Sequence, residues 1–179
     1  MKSRIMSLLL IPCLTILAGS TLLSAQSASV ADKHFVKAAL KGGMAEVELG
    51  KLATEKGNSD DVKHFGQMMV EDHTKLGDQM KGVAGQIGVT PPTMLTPTDK
   101  ALKMRLEALS GDHFDKAYIR AMVKDHKMDL ADFKKEENTG SSQTVKDAAS
   151  QGEQVIAHHL EMIKQIAQAH NLSTMSASK

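Results

Sequence analysis

The sequence predicts an all-α protein: four long amphipathic helices, arranged as two hairpins and packed into a four-helix bundle. Three observations carry that expectation. Apolar residues recur at helical spacing from Asp32 onward. No run of alternating β-branched residues is long enough to make a strand. Aromatic side chains are scarce, with one Tyr, four Phe and no Trp in 179 residues, which argues against a β-sandwich or barrel.

The first helix is expected at about 32–56, with Phe35, Ala38, Ala39, Gly42, Ala45, Leu49, Leu52 and Ala53 on its inner face. Gly57-Asn58 ends it, and Ser59 is placed to N-cap the next. The second helix covers about 60–87, with Val62, Phe65, Gly66, Met69, Leu76, Met80, Val83, Ala84 and Ile87 inward and Gly88 as its stop. Residues 88–111 form the one long connection. Pro91-Pro92 marks a turn, and Thr96-Pro97-Thr98-Asp99 reads as N-cap, Pro at N1 and an acid in the first turn, so a short extra helix is expected near 97–109. Twenty-four residues allow either an up-down path or a long crossover. The third long helix spans about 112–137, with Phe114, Tyr118, Ile119, Met122, Val123, Leu130 and Phe133 inward. A Thr139-Gly140-Ser141 turn leads to the fourth, about 143–170, with Val145, Ala148, Ala149, Gly152, Val155, Ile156, Ile163, Ile166 and Ala167 inward. Glycines and alanines on the first and fourth helices predict a close approach of those two. The tail, 173–179, reads as frayed.

Residues 65–73 and 118–126 align at an offset of 53, matching an aromatic, Met, Val, Asp and His. This points to two related helical hairpins.

Ahead of the bundle stands an export signal. Lys2 and Arg4 precede an apolar run from Ile5 to Leu17, followed by small and polar residues. The run is broken by Pro12 and is short of the ~20 residues that span a bilayer. Cleavage after Ala25 is expected, or as late as Ala31, leaving no transmembrane span. The single Cys, Cys13, leaves with the signal, so the mature chain has neither a disulfide nor a Cys-based zinc site. Removing Lys2 and Arg4 from the 22 basic residues leaves 20 against 21 acidic ones, a mature charge of −1. That balance carries no signature of a nucleic-acid binder.

Eight histidines remain to be placed. His64 and His158 fall off the apolar stripes, and His34 and His113 sit at helix starts. Three others lie where a core residue belongs. His73 is at the centre of the second helix's stripe, His126 at the centre of the third's, and His159 between Val155, Ile156 and Ile163. Glu46 lies at the edge of the first helix's stripe, while Glu48 points further away. Counting from the turns puts all four near mid-bundle, within ~5 to 7 Å of one level along the axis. Three buried imidazoles and a carboxylate satisfy one another poorly without a cation. They are good ligands for Zn, Fe, Mn, Ni or Cu. The candidate ligands are therefore Glu46, His73, His126 and His159, holding one divalent transition metal. Asp72 and Asp125 each precede a candidate ligand and are placed to support a neighbour from outside, or to be solvated acids. Met69, Met122 and Met162 lie on the same faces and read first as core filler. The other reading of the histidines is a metal-free structural or interaction bundle, in which they are hydrogen-bonded core residues or a pH sensor. No nucleophile motif, phosphate loop or C-x-x-C-H haem attachment is present, and no haem is expected.

The segments F-V-K-A-A-L-K-G-G-M-A-E-V-E-L-G-K-L-A, V-K-H-F-G-Q-M-M-V-E-D-H, F-D-K-A-Y-I-R-A-M-V-K-D-H and H-H-L-E-M together resemble the bacterial family labelled predicted outer membrane protein. That family is a domain of unknown function with a ferritin-like helical bundle, and the resemblance covers about 32–170. It implies an envelope location, no established activity, and motif residues at Glu46, Asp72, His73, Asp125, His126 and His159. Ferritin-like di-iron proteins carry Glu-x-x-His on two helices. Here the positions three before His73, His126 and His159 are Val70, Val123 and Ile156, so a mononuclear, His-rich site is the consistent picture. A membrane β-barrel needs many alternating strands, and none is read here. A periplasmic bundle, with peripheral association to the envelope, is the expectation, its role lying in metal handling or stress protection.

Overall fold

The computed structural model describes residues 27–173. The expected export signal before residue 27, with its expected cleavage after Ala25, and the tail after Ser173 lie outside the described residues. Within them are five helices and no strand: α1 (Val30–Lys56), α2 (Asp60–Ile87), α3 (Pro97–Glu107), α4 (Gly111–Thr139) and α5 (Gln143–Ala169). α1 begins earlier than the periodicity suggests because Ser29 and Asp32 form a capping box. α2 stops at Gly88, which takes the left-handed conformation that glycine adopts without strain. α3 starts with the Thr96 cap and Pro97. No helix here is long and apolar enough to cross a membrane.

Two buried aspartates fix how the hairpins join. Asp115, near the start of α4, accepts hydrogen bonds from the Asn58 and Ser59 backbone N–H groups at 2.8 and 2.9 Å, and from Ser59 Oγ at 2.8 Å. Asp32, near the start of α1, accepts from the Ser141 and Ser142 N–H groups at 2.9 and 3.2 Å. The α1–α2 turn therefore lies beside the start of α4, and the α4–α5 turn beside the start of α1. The chain runs up, down, down, up, and residues 88–110 cross the full length of the bundle. This is the long crossover of ferritin-like bundles. Leu106 of α3 is fully buried and pins the crossover to the core. Lys103 pairs with Glu48 of α1 at 2.7 Å.

An offset of 83 residues relates the two hairpins: Asp32 to Asp115, Glu46 to Asp129, Gly57 to Gly140, Ser59 to Ser142. α1 thus corresponds to α4 and α2 to α5. The offset of 53 matches α2 with α4, which lie diagonally across the bundle and share a layer rather than a hairpin position.

The close approach expected of the first and fourth long helices falls elsewhere. α1 packs on α2 and α4, and α5 on α4 and α2. The small residues serve the hairpins instead. A Cβ on Gly66 would lie 2.7 Å from the Gly50 carbonyl oxygen, so the α1–α2 crossing requires glycine there. Gly152 gives way to the Phe133 ring. The inner face of α1 is also rotated from expectation: Val36 and Leu40 are buried, whereas Ala38 is exposed. The core has two parts. One gathers around Phe65, Phe114, Tyr118 and Met122 towards the Asn58 turn, the other around Leu40, Met80, Phe133 and Ile156 towards the Ser141 turn.

Candidate metal centre

Between those two cores lies a polar layer. α2 supplies His73, α4 His126 and α5 His159, each at most 2 % exposed. Each occupies a position whose neighbours three and four residues away are core side chains, so packing of the stripe carries the imidazole inward. One ring nitrogen from each lies within 4.8 Å of the others. His73 Nε2 and His159 Nδ1 are 3.2 Å apart.

The outer nitrogens have partners that set their protons. His159 Nε2 lies 3.1 Å from Asp72 Oδ2, and a carboxylate only accepts, so the proton sits on Nε2 and Nδ1 is a bare lone pair. His126 Nδ1 donates to the Met122 carbonyl at 3.0 Å. Its Nε2 is then also a bare lone pair, and it has no hydrogen-bond partner. His73 Nδ1 is 2.9 Å from Glu46 Oε2. That pair is in contact but off the line of a hydrogen bond, and His73 Nδ1 and Glu46 Oε1 are both left unpartnered. Glu46 Oε1 is 3.6 Å from His126 Nδ1. Glu46 therefore faces the Nδ1 edges of two histidines, on the side away from His73 Nε2.

Burial pushes all three imidazoles down to about 4, leaving them neutral at pH 7. Neutral imidazole is the form that ligates a metal. Burial raises the Glu46 carboxyl. It raises Asp129 to about 8, with the Glu46 charge the next cause. Tyr118 is fully buried with an unpartnered hydroxyl, and burial followed by the Glu46 charge raises it as well. The layer thus holds bare nitrogen lone pairs beside carboxyls that lack a counter-charge, the combination a cation relieves.

The residues singled out in the sequence are mostly brought together here. Glu46, His73, His126 and His159 share the layer, and Asp72 supports His159. Asp125 lies on the flank of α4, its carboxyl raised by burial and its acidic neighbour being Asp99. Met69 and Met122 are fully buried in the core beside the layer. His34, His64, His113 and His158 are exposed. Asp129 was not read from the sequence. It is hydrogen-bonded to Glu46, and two signals point to it: it follows His126 by one helical turn, and it is the 83-residue counterpart of Glu46.

Fold and site together define a ferritin-like helical bundle with a buried histidine cluster at mid-height. The chain belongs to the family described as Domain of unknown function (DUF4142), which matches residues 18–166. No curated protein matches it. Three solved structures show the same fold. A DUF305 fragment from Deinococcus radiodurans has a TM-score of 0.71 at 15% identity, over 80% of this chain and 99% of that one. CopM in its Cu(I)-bound form has a TM-score of 0.65 at 16% identity, over 77% and 96%. A two-domain protein from Anabaena variabilis, with DJ-1/ThiJ/PfpI-like and ferritin-like domains, has a TM-score of 0.61 at 14% identity, over 85% of this chain and 41% of that one. At these identities the likeness is one of fold.

Proposed function

We propose that this protein is an exported, periplasmic metal-handling bundle that binds one transition-metal ion through His73 Nε2, His126 Nε2 and His159 Nδ1. The observation that carries the reading is the cluster of three fully buried imidazoles in which the His126 Nε2 lone pair has no partner. A core histidine without a ligand is normally hydrogen-bonded on both sides. A metal supplies the missing partner. It also shifts the His73 proton to Nδ1, facing Glu46, in the carboxylate–histidine–metal pattern that orients ligating imidazoles. Asp72 does the same for His159. Glu46 acts as that outer carboxylate, with Oε1 in reserve as a fourth ligand, and Asp125 stays outside the ligand set, its charge bearing on Glu46 and Asp129 from the α4 flank. Imidazole ligation suits Zn, Cu, Ni or Fe. The Cu(I)-bound form of CopM, a neighbour in fold, makes copper the first ion to try.

Export is supported by the signal-like first 25 residues. Cleavage after Ala25 leaves the Ser29 cap of α1 in place, whereas cleavage after Ala31 removes it. A peripheral association with the envelope fits the absence of a spanning helix among the described residues.

Elemental analysis of the protein purified from its own periplasm tests the proposal. Close to one metal per chain is expected, lost in His73→Ala and His126→Ala. No metal under any loading condition, with melting unchanged by chelators, overturns it in favour of hydrogen-bonded core histidines.

A further inference from the structure

A buried centre needs a way in. On the side of the Asn58 turn the histidines are roofed by Phe65, Met69, Tyr118 and Met122, none more than 1 % exposed. The Phe65 ring centroid stands 6.1 and 6.3 Å from those of His159 and His126. Two cavities reach His73 from elsewhere, and their charge differs. One, of about 280 Å³, lies under the Pro91-Pro92 connection and is lined by Lys51 and Lys81 against the single acid Glu48. The other, of about 470 Å³, runs from the Ser141 turn to Glu46 and His73, walled chiefly by α1 and α4 with Leu76, Gly77 and Met80 of α2. Asp129, Asp132 and Glu136 line it along α4, with Lys135 the one lysine. Its opposite wall is open at Gly42, where an added Cβ would meet nothing within 4 Å.

Glu136 is the second observation that marks this route for a cation. It is 7 % exposed, and its Oε1 has no hydrogen-bond partner. Its side chain shares a hydrogen bond with Asp32, itself an acid already engaged by backbone N–H groups, which leaves Oε1 without a partner. A buried, unpartnered carboxylate oxygen on a cavity wall is a waiting ligand for a passing cation.

Resting on the metal reading above, we propose that this cavity is the path by which the ion reaches the histidines, handed along Glu136, Asp132 and Asp129 to Glu46. Spacings of three and four residues set the three α4 carboxylates on one helix face, pointing from the bundle end towards the histidine layer. A cleft lined by one sign of charge raises the local concentration and arrival rate of the opposite ion. The lysine-lined cavity does the reverse.

Stopped-flow loading of metal-free full-length protein with Co(II), followed by its visible absorbance, reads the path directly. Asp132→Asn/Glu136→Gln is expected to load about tenfold more slowly at low ionic strength with the same end point, the difference shrinking in high salt. Gly42→Leu, which fills the cavity from an open helix position, is expected to slow loading at every salt concentration. Lys51→Gln/Lys81→Gln is expected to load at the wild-type rate. Wild-type protein that takes up cobalt while both the carboxylate variant and Gly42→Leu load as fast overturns the path and leaves the centre standing. Wild-type protein that takes up no cobalt overturns both.

Discussion

The two ends of this bundle are built from equivalent hairpins, yet they differ in kind. Towards the Asn58 turn the core is closed: Phe65, Phe114 and Tyr118 interlock, Leu106 of the crossover seals one side, and all four side chains are at most 1 % exposed. Towards the Ser141 turn, a half-buried Phe35 stands edge-on to Phe133 at 4.9 Å beside an open cavity of about 470 Å³, and carboxyls line the wall. The histidines sit at the boundary. One half holds their geometry, and the other leaves them approachable. The lesson is that a helical bundle achieves both by spending its large side chains on one side of the site and its glycines and acids on the other.

That contrast is open to attack by substitution. Phe65→Ala removes a ring from the closed half and is expected to cost about 3–5 kcal/mol. Phe35→Ala, on the cavity wall, is expected to cost less than about half of that. Urea unfolding of the metal-free proteins measures both, and equal losses would erase the distinction between the halves. Glycines provide a second and smaller contrast. Gly66→Ala forces a Cβ against the Gly50 carbonyl and the Ala53 Cβ at 2.7 and 2.8 Å, at an expected cost of about 1–3 kcal/mol. Gly42→Ala meets no atom and is expected to stabilise by about 0.5–1 kcal/mol through helix propensity. Opposite signs in the same unfolding assay are the expected outcome, and two losses of equal size would contradict the open wall.

The smallest effect concerns pH. Burial, followed by the hydrogen bond to Asp32, raises Glu136 to about 7 in the folded chain, against about 4.3 in the unfolded one. Between those values the folded state binds more protons, so stability falls as pH rises. The histidines act in the opposite direction. They hold protons only below about 4 when folded and up to about 6.5 when unfolded, so stability falls as pH drops through that window. Metal-free protein should therefore melt highest near pH 6.5, declining on the acid side because of the histidine layer and on the alkaline side because of the carboxyls. Glu136→Gln removes that residue's opposing slope between about 4.3 and 7, so the Tm of the variant is expected to fall more steeply than wild type as pH drops from about 7 to about 4.3 and to run parallel to it above about 7. A variant curve parallel to wild type throughout would remove Glu136 from the account.

Much of this was legible in the sequence. The helices announce themselves through periodicity and caps, and His73, His126 and His159 stand out because an imidazole replaces an aliphatic side chain at the centre of an apolar stripe. Glu46 stands out less sharply, as a carboxylate at the edge of the first helix's stripe. Asp129 does not stand out, because its position on α4 looks solvated until the small residues of α1 are seen to leave room for it. Neither Asp32 nor Asp115 stands out in the sequence. Their burial depends on a distant turn, 109 residues away for Asp32 and 57 for Asp115, coming to lie beside them, which local pattern does not encode. The crossover was undecided for the same reason: 24 residues reach either end, and the buried Leu106 and the two aspartate-to-turn contacts decide it.

The central claim is that three imidazoles on three helices converge on one ion. X-ray absorption fine structure at the edge of the bound metal, on protein loaded to one equivalent, tests it most directly. The account predicts a nearest shell containing three imidazole nitrogens at about 2.0–2.1 Å, with the outer-shell scattering of their rings, and the loss of that ring signal in His126→Ala. A shell of oxygens without imidazole scattering would contradict it.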